Sequence, residues 1–234
     1  LKAAKDFADK GYKVYATMRK PEGKNAAKKA ELEGHSSHIK VVDMDVTSDD
    51  SVATAMKSII SEAGTIDVLI NNAGIMFIVV TEAYSVEKAH LQMNTNYYGV
   101  IRVTQAVLPA MRKAGKGLII NTTSIVGRIS WPFFGTYNAT KFALEGYSQS
   151  LKYELAPKGI EVVMVEPGPF GTGLLASIQP EDRTEVLEGY KDLTAVKDGM
   201  LEHFGQFLST PEAPKPQLVV DAYLNLVEME DGTS

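Results

Sequence analysis

The sequence predicts an α/β fold, a doubly wound parallel sheet with helices on both faces, in one domain over residues 1–234. Three observations carry this. Short β-branched apolar runs alternate with longer amphipathic segments. The runs are apolar on both faces, as a sheet covered on both sides requires. The segments between them are long enough for the right-handed helical crossovers of parallel pairing.

Residues 1–10 read as the end of a helix, with Gly11 as its C′ residue. Residues 12–17 read as a strand, 24–33 as a helix and 39–44 as the next strand. Ser48 caps a helix running to about Ala63, with Asp49 and Asp50 in its first turn, where they offset the helix dipole. Residues 66–71 form a strand with an almost unbroken apolar core. A long helical pattern covers 84–113, with apolar residues at Ile101, Leu108 and Met111 and a break at Gln105. Pro109 should kink or shorten it. Residues 117–123 form a strand, 136–156 a helix and 160–165 another strand; Pro157 and Gly159 mark the turn between the last two. In 169–216, prolines at 169, 180, 211 and 214 interrupt weak helical patterns. That segment reads as an excursion over a ligand site, with a tolerated surface insertion as the plainer alternative.

Composition narrows the function. A hydrophobic content of 44% suits a folded core. The net charge of −5 gives no reason to expect nucleic acid or an anionic membrane as partner. There is no cysteine, which excludes disulfides, thiolate metal sites and a cysteine nucleophile. It also fits a reducing compartment, and a cytoplasmic location is expected. No apolar run approaches the ~20 residues of a membrane span.

The chemistry concentrates in one triplet. Tyr137 and Lys141 are four residues apart, which on a helix puts them on one face. An ammonium that close favours a phenolate and should pull the tyrosine pKa down from about 10. Ser124, thirteen residues before the tyrosine, ends an apolar strand, where its hydroxyl can hold a substrate oxygen. Together these equip the chain to interconvert an alcohol and a carbonyl. Tyr-x-x-x-Lys alone is weak evidence, because a second pair, Tyr84 and Lys88, has Asn71 where the serine should be. That pair reads as a solvated helix face. A serine hydrolase is disfavoured, since no Gly-x-Ser-x-Gly elbow exists. His35 and His38 read as solvated loop residues rather than metal ligands.

Four motifs in order carry a resemblance: Asn71-Asn72-Ala73-Gly74 after a strand, Ser124, Tyr137-Asn138-Ala139-Thr140-Lys141, and Pro167-Gly168-Pro169 after the last strand. In content and spacing they resemble the short-chain dehydrogenase/reductase family, from residue 1 to about 172. The resemblance implies a Rossmann-like fold and these roles: Tyr137 as acid/base, Lys141 as its pKa-lowering partner and a ligand of the nicotinamide ribose, Ser124 as the substrate-orienting hydroxyl, and Asn96 as the residue that positions a water near the lysine. Asp45 and Val46 resemble the pair that contacts adenine. Asn71, Ala73 and Gly74 resemble the segment passing the cofactor ribose, and Pro167, Gly168 and Thr172 the segment beside the nicotinamide. Plainer readings stand beside these. Asn96 could bond backbone, Asn71 and Asn72 could brace strands, Asp45 could neighbour a helix cap, and Pro167-Gly168 could be only a turn.

The family opens with a strand and a Gly-rich turn at a helix N-terminus, and closes with a strand. Neither end has a counterpart in the sequence, and residue 1 already falls within the helix after that turn. The cofactor expectation rests on the end of the first strand read here. Met18 stands where an NAD-selective acid would, and Arg19 follows it. NADP(H) is therefore expected over NAD(H). The substrate pocket should lie between 129–134 and 169–208. Trp131, Phe133, Phe134 and Phe170 argue for a small apolar carbonyl or alcohol substrate. Helices 84–113 and 136–156 would form a homodimer or homotetramer interface. The alternative is a non-catalytic NADP-sensing or scaffolding protein on the same fold, whose signature would be a broken catalytic set.

Overall fold

The computed structural model describes residues 1–174 and 178–229. Strands β1 (Val14–Met18) and β2 (Ile39–Asp43) pair in parallel, with Val14 opposite Ile39. Strands β3 (Val68–Asn71), β4 (Gly117–Thr122) and β5 (Ile160–Val165) form a second parallel sheet in the order β3-β4-β5. In it Ile70 lies opposite Ile120, and Ile120 opposite Val163.

Helices cover both faces, because successive strand residues point to opposite sides. Ile119 of β4 packs with α3 (Asp49–Ala63), α5 (Gly99–Ala114) and the end of α6 (Gly135–Leu155), through Val52, Met56, Val107, Met111 and Leu151. Ile120, its neighbour, packs on the other side with Phe7 of α1 (Lys2–Asp9) and Val220, Tyr223 and Leu224 of α8 (Gln217–Glu228). Leu32 of α2 (Ala26–His35) completes that layer over Ile39 and Val41. Val14 of β1 and Ile70 of β3 belong to one apolar cluster, so the two sheets share their covering layers.

The described strands make two sheets, as expected of a doubly wound sheet whose opening strand has no counterpart in the sequence. In the doubly wound order 3-2-1-4-5-6, these strands fill places 3-2 and 4-5-6. The break falls at the place of the opening strand that has no counterpart in the sequence. Its physical mark is burial: Ile119 and Ile120 on β4 are fully buried, while Val68, Leu69 and Ile70 on β3 are only half-buried.

Helix caps follow the local rules. Ser48 Oγ accepts from Ser51 N at 3.3 Å, and Asp49 and Asp50 fill the first turn of α3. Gly11 takes a left-handed φ of 88° after α1. The long helix over 84–113 is instead three pieces. α4 (Val86–Met93) leads into a π-helical turn, Asn94–Tyr98, and then α5. α5 runs through Pro109 without a break, because Pro109 is on the exposed face while Val103, Val107 and Met111 hold the other face in the core. Of the apolar positions in the pattern, Leu108 and Met111 lie in the core and only Ile101 is half-buried.

The excursion holds a longer helix than its pattern predicted, α7 (Lys191–Leu208). Its residues 175–177 lie outside the described part, as do 230–234, where the expected absence of a closing strand falls. No helix among the described residues is long and apolar enough to cross a membrane.

Candidate active site

The predicted site residues follow the carboxyl ends of the parallel strands, where open α/β sheets bind ligands. Arg19 follows β1, Asp45 and Val46 follow β2, Ala73 and Gly74 follow β3, Ser124 follows β4, and Pro167 and Gly168 follow β5. Tyr137 and Lys141 come from the first turns of α6, and Asn96 from the π-helical turn before α5.

The triplet is assembled as its spacing implied. Ser124 Oγ donates to Pro167 O at 3.2 Å and accepts from Val126 N at 3.3 Å. The same hydroxyl also neighbours the Tyr137 phenol and favours its ionised form. Lys141 Nζ lies 5.6 Å from the Tyr137 ring centroid and donates to Thr122 O at 2.8 Å. All three side chains are buried.

The electrostatics depart from the expected direction. Burial pushes Tyr137 up to about 12, opposed only by the neighbouring Ser124 hydroxyl, which favours the ionised form. Burial pushes Lys141 down to about 8, opposed by the nearby Glu145 carboxylate. Desolvation penalises both charged forms, and the expected downward pull of the lysine on the phenol does not emerge.

Asn96 ties three elements together. Its Oδ1 accepts from Ile75 N at 2.9 Å, and its Nδ2 donates to Ile75 O at 2.9 Å and to Thr140 Oγ1 at 3.2 Å. The backbone-bonding reading therefore describes its amide. Asn71 is a brace: its amide donates to Asn121 Oδ1 at 2.9 Å and to Thr104 Oγ1 at 3.3 Å, and Asn121 donates on to Ser148 at 2.8 Å. Its side chain is thus committed to the core. Asp45 Oδ1 accepts from Thr47 N at 3.0 Å and from Thr47 Oγ1 at 2.7 Å. Burial opposes its ionisation, but the Thr47 bonds and the Arg19 charge hold its pKa below the usual value. Val46 packs against Gly99, where an added Cβ would come within 2.9 Å of Val46 Cγ2; only glycine lets α5 start so close. Thr172 is exposed, and its Oγ1 accepts from Leu174 N at 3.4 Å.

The second Tyr/Lys pair is not a solvated face. Tyr84 is buried and lies before α4, and its phenol oxygen accepts from Thr136 N at 2.8 Å. It satisfies a free amide in the first turn of α6, the helix that carries Tyr137. Periodicity gave no signal for this, because the contact spans 52 residues. Tyr223 was also missed: from α8 its hydroxyl reaches Thr122 Oγ1 at 2.7 Å and Asn72 Oδ1 at 3.4 Å. His35 pairs with Asp9, and His38 with the Gly11 carbonyl.

The profile of the family described as short chain dehydrogenase matches residues 1–183. The chain belongs to the short-chain dehydrogenase family. It is 42% identical over 189 residues to the 3-ketodihydrosphingosine reductase of Bacteroides thetaiotaomicron, covering 81% of this chain and 66% of that protein. It is 34% identical over 226 residues to human retinol dehydrogenase 8, covering 93% of this chain and 70% of that one. Among solved structures, the closed form of serine dehydrogenase complexed with NADP+ superposes with a TM-score of 0.78 at 26% identity, covering 98% of this chain and 84% of that one. The chain thus spans roughly two thirds of the length of these two sequence relatives.

Beside this short-chain dehydrogenase triplet lies an apolar cluster. Tyr137 packs with Met76, Ile78, Val80, Phe133 and Phe134, and the excursion adds Val186, Tyr190 and Met200. Trp131 stacks on Phe204 of α7 at 5.6 Å between centroids. Phe133 adopts a left-handed φ of 70°, and its carbonyl accepts from Val79 N at 2.9 Å. Such a conformation costs a bulky residue about 1–3 kcal/mol and is typical of functional sites. Phe170 is not part of this cluster, so one of the four expected aromatics falls away.

The donor set suits a phosphorylated dinucleotide on the adenosine side. Arg19 is half-exposed, 3.8 Å from Asp45, with Lys20 beside it. Backbone at 72–74 is exposed, and a Cβ on Gly168 would meet nothing nearer than Ile125 Cδ1 at 3.9 Å, which leaves room for a ligand. No described residues form a Gly-rich pyrophosphate turn.

Proposed function

We propose that this protein interconverts a carbonyl and a secondary alcohol on an apolar substrate, with NADP(H) as hydride carrier. The carrying observation is that Ser124, Tyr137 and Lys141 are buried together, the serine hydroxyl beside the phenol and the lysine against the same ring, at the carboxyl ends of the strands. Bound NADPH would supply the hydride. Ser124 holds the carbonyl oxygen, Tyr137 gives its proton to the oxygen as it becomes an alkoxide, and Lys141 stabilises the phenolate left behind. Asn96 fixes Ile75 and Thr140 beside the lysine and positions a water there. Arg19 accommodates the 2′-phosphate, Asp45 and Val46 contact adenine, and Lys141 bonds the nicotinamide ribose. Ala73, Gly74, Pro167, Gly168 and Thr172 line the cofactor path.

The apolar cluster over Tyr137 supports an apolar substrate, as do the names of the related 3-ketodihydrosphingosine reductase and retinol dehydrogenase 8. The NADP+ complex of the structural neighbour supports the cofactor. The excursion 169–216 serves as the substrate wall of the single domain. A homo-oligomer built on α4 to α6 belongs to the same reading, supported by exposed Val86, Leu91 and Phe142, as does a cytoplasmic location, supported by the absence of cysteine.

The test is NADPH oxidation by the full-length protein across a panel of apolar ketones and aldehydes, with NADH for comparison. Tyr137→Phe should bind NADPH normally and lose about 10²–10⁴ in turnover. Ordinary turnover in that variant would overturn the mechanism, and a preference for NADH would overturn the cofactor assignment.

A further inference from the structure

One buried charge next to the catalytic lysine has no part in the mechanism above. Glu145 lies one helical turn beyond Lys141 on α6 and is only 3% exposed. Neither of its carboxylate oxygens accepts a directed hydrogen bond. An unpaired buried carboxylate is expensive, so something must hold it. Arg128 Nη2 stands 3.0 Å from Glu145 Oε2; the contact is one of charge rather than an aligned hydrogen bond. The same guanidinium donates to Glu166 Oε1 at 2.9 and 3.2 Å.

These three residues link the three pieces of the site. Arg128 follows the short turn Ile125–Gly127 that begins at Ser124. Glu166 precedes Pro167, whose carbonyl accepts from Ser124 Oγ. Glu145 shares its helix with Tyr137 and Lys141. The turn lies close against that helix: a Cβ on Gly127 would be 3.0 Å from Glu145 Cγ and 3.1 Å from Lys141 O.

We propose that Glu145, held in place by Arg128, is a positioning residue that keeps Lys141 charged for the reaction. This rests on the carbonyl reductase reading given above. Tyr137 and Glu145 of α6 flank Lys141; Arg128, from the turn after β4, bridges Glu145 to Glu166 at the end of β5, and Tyr223 of α8 bonds Thr122, whose carbonyl holds the lysine. Of these carboxylates, Glu145 shares the lysine's own helix face, one turn away, and it opposes the loss of the lysine's proton that burial causes.

The sign of the effect is fixed. Removing a nearby negative charge makes every neighbouring acid stronger. In Glu145→Gln, Lys141 loses its proton at lower pH, and any effect on Tyr137 runs the same way. Carbonyl reduction needs both groups protonated, so its alkaline limb moves down. An opposite charge at this range shifts a pKa by about 1–3 units, and sharing with Arg128 puts the effect at the low end, about one unit. Arg128→Gln leaves the buried Glu145 carboxylate without the cation that holds it, so Glu145 takes up a proton or turns away, and the limb moves down as well.

The experiment is the pH profile of NADPH-dependent reduction of a long-chain methyl ketone by the full chain, in the parent, Glu145→Gln and Arg128→Gln. A downward displacement of the limb in both variants supports the proposal. A limb that stays put in the variants, whatever happens to the melting temperature, overturns it and shows Glu145 to be structural. If Glu145→Gln fails to fold, Arg128→Gln alone decides, an unmoved or raised limb being fatal. A parent without activity on any apolar carbonyl would instead sink the functional reading.

Discussion

Burial removes much of the basicity of Lys141, and the reaction inherits the consequence. The ammonium sits near about 8 while the phenol beside it sits near about 12. Carbonyl reduction uses the protonated form of both, so the lysine is the group that limits it. Raising the pH through about 8 discharges Lys141, and kcat/KM for reduction should fall tenfold per unit beyond that point. A profile flat through the alkaline range would contradict this. The spacing of Tyr137 and Lys141 was legible in the sequence because the helical repeat converts four residues into one face. The direction of the tyrosine's shift was not. It depends on desolvation by Met76, Ile78 and Phe134, which no local pattern connects to it. Asn71 shows the same limit: its motif suggested the cofactor, while its amide serves a brace reaching Asn121 and Thr104.

At the level of elements, α6 is held at its start by a side chain from elsewhere. The Tyr84 phenol accepts from Thr136 N, one residue before Tyr137. Tyr84→Phe keeps the ring in its apolar site and deletes only that acceptor. It should cost about 0.5–2 kcal/mol, the range of a lost helix cap, read as a lower urea midpoint with unchanged slope. An unchanged midpoint would show that water replaces the phenol. Strand and helix positions were readable because the apolar runs and caps are local signals, as at Ser48 and Gly11. The segmentation of 84–113 was not, because a π-helical turn leaves no mark in composition. The buried face of α5 takes in Val103 and Val107 beside the expected Leu108 and Met111, while Ile101 is half-buried.

Over the whole molecule, the excursion is fastened across the site by polar contacts rather than by its apolar underside alone. Asp182 accepts from Ser85 N at 2.8 Å and from Ser85 Oγ at 2.6 Å, and the amides of Asp182 and Arg183 both reach Ala83 O at 3.2 Å. Tyr190 donates to Glu82 at 2.6 Å. Asp182→Ala should loosen this clasp and speed tryptic cleavage after Arg183 several-fold, with little change in the melting temperature. Cleavage at the parental rate would place the restraint elsewhere. Parallel pairing and two covered faces could be read from the apolar runs, and the gap in mid-sheet from the opening strand that has no counterpart in the sequence. The π-helical turn at Asn94–Tyr98 also bears on how the gene tolerates change. Each residue in a helix turns the chain by about 100°. Losing one codon there would leave a helix of respectable length and hydrophobicity, yet it would swing either Asn96 away from Ile75 or Val103 out of the interior. Substitutions at the other four positions, Asn94, Thr95, Tyr97 and Tyr98, should be borne far better than a single in-frame deletion.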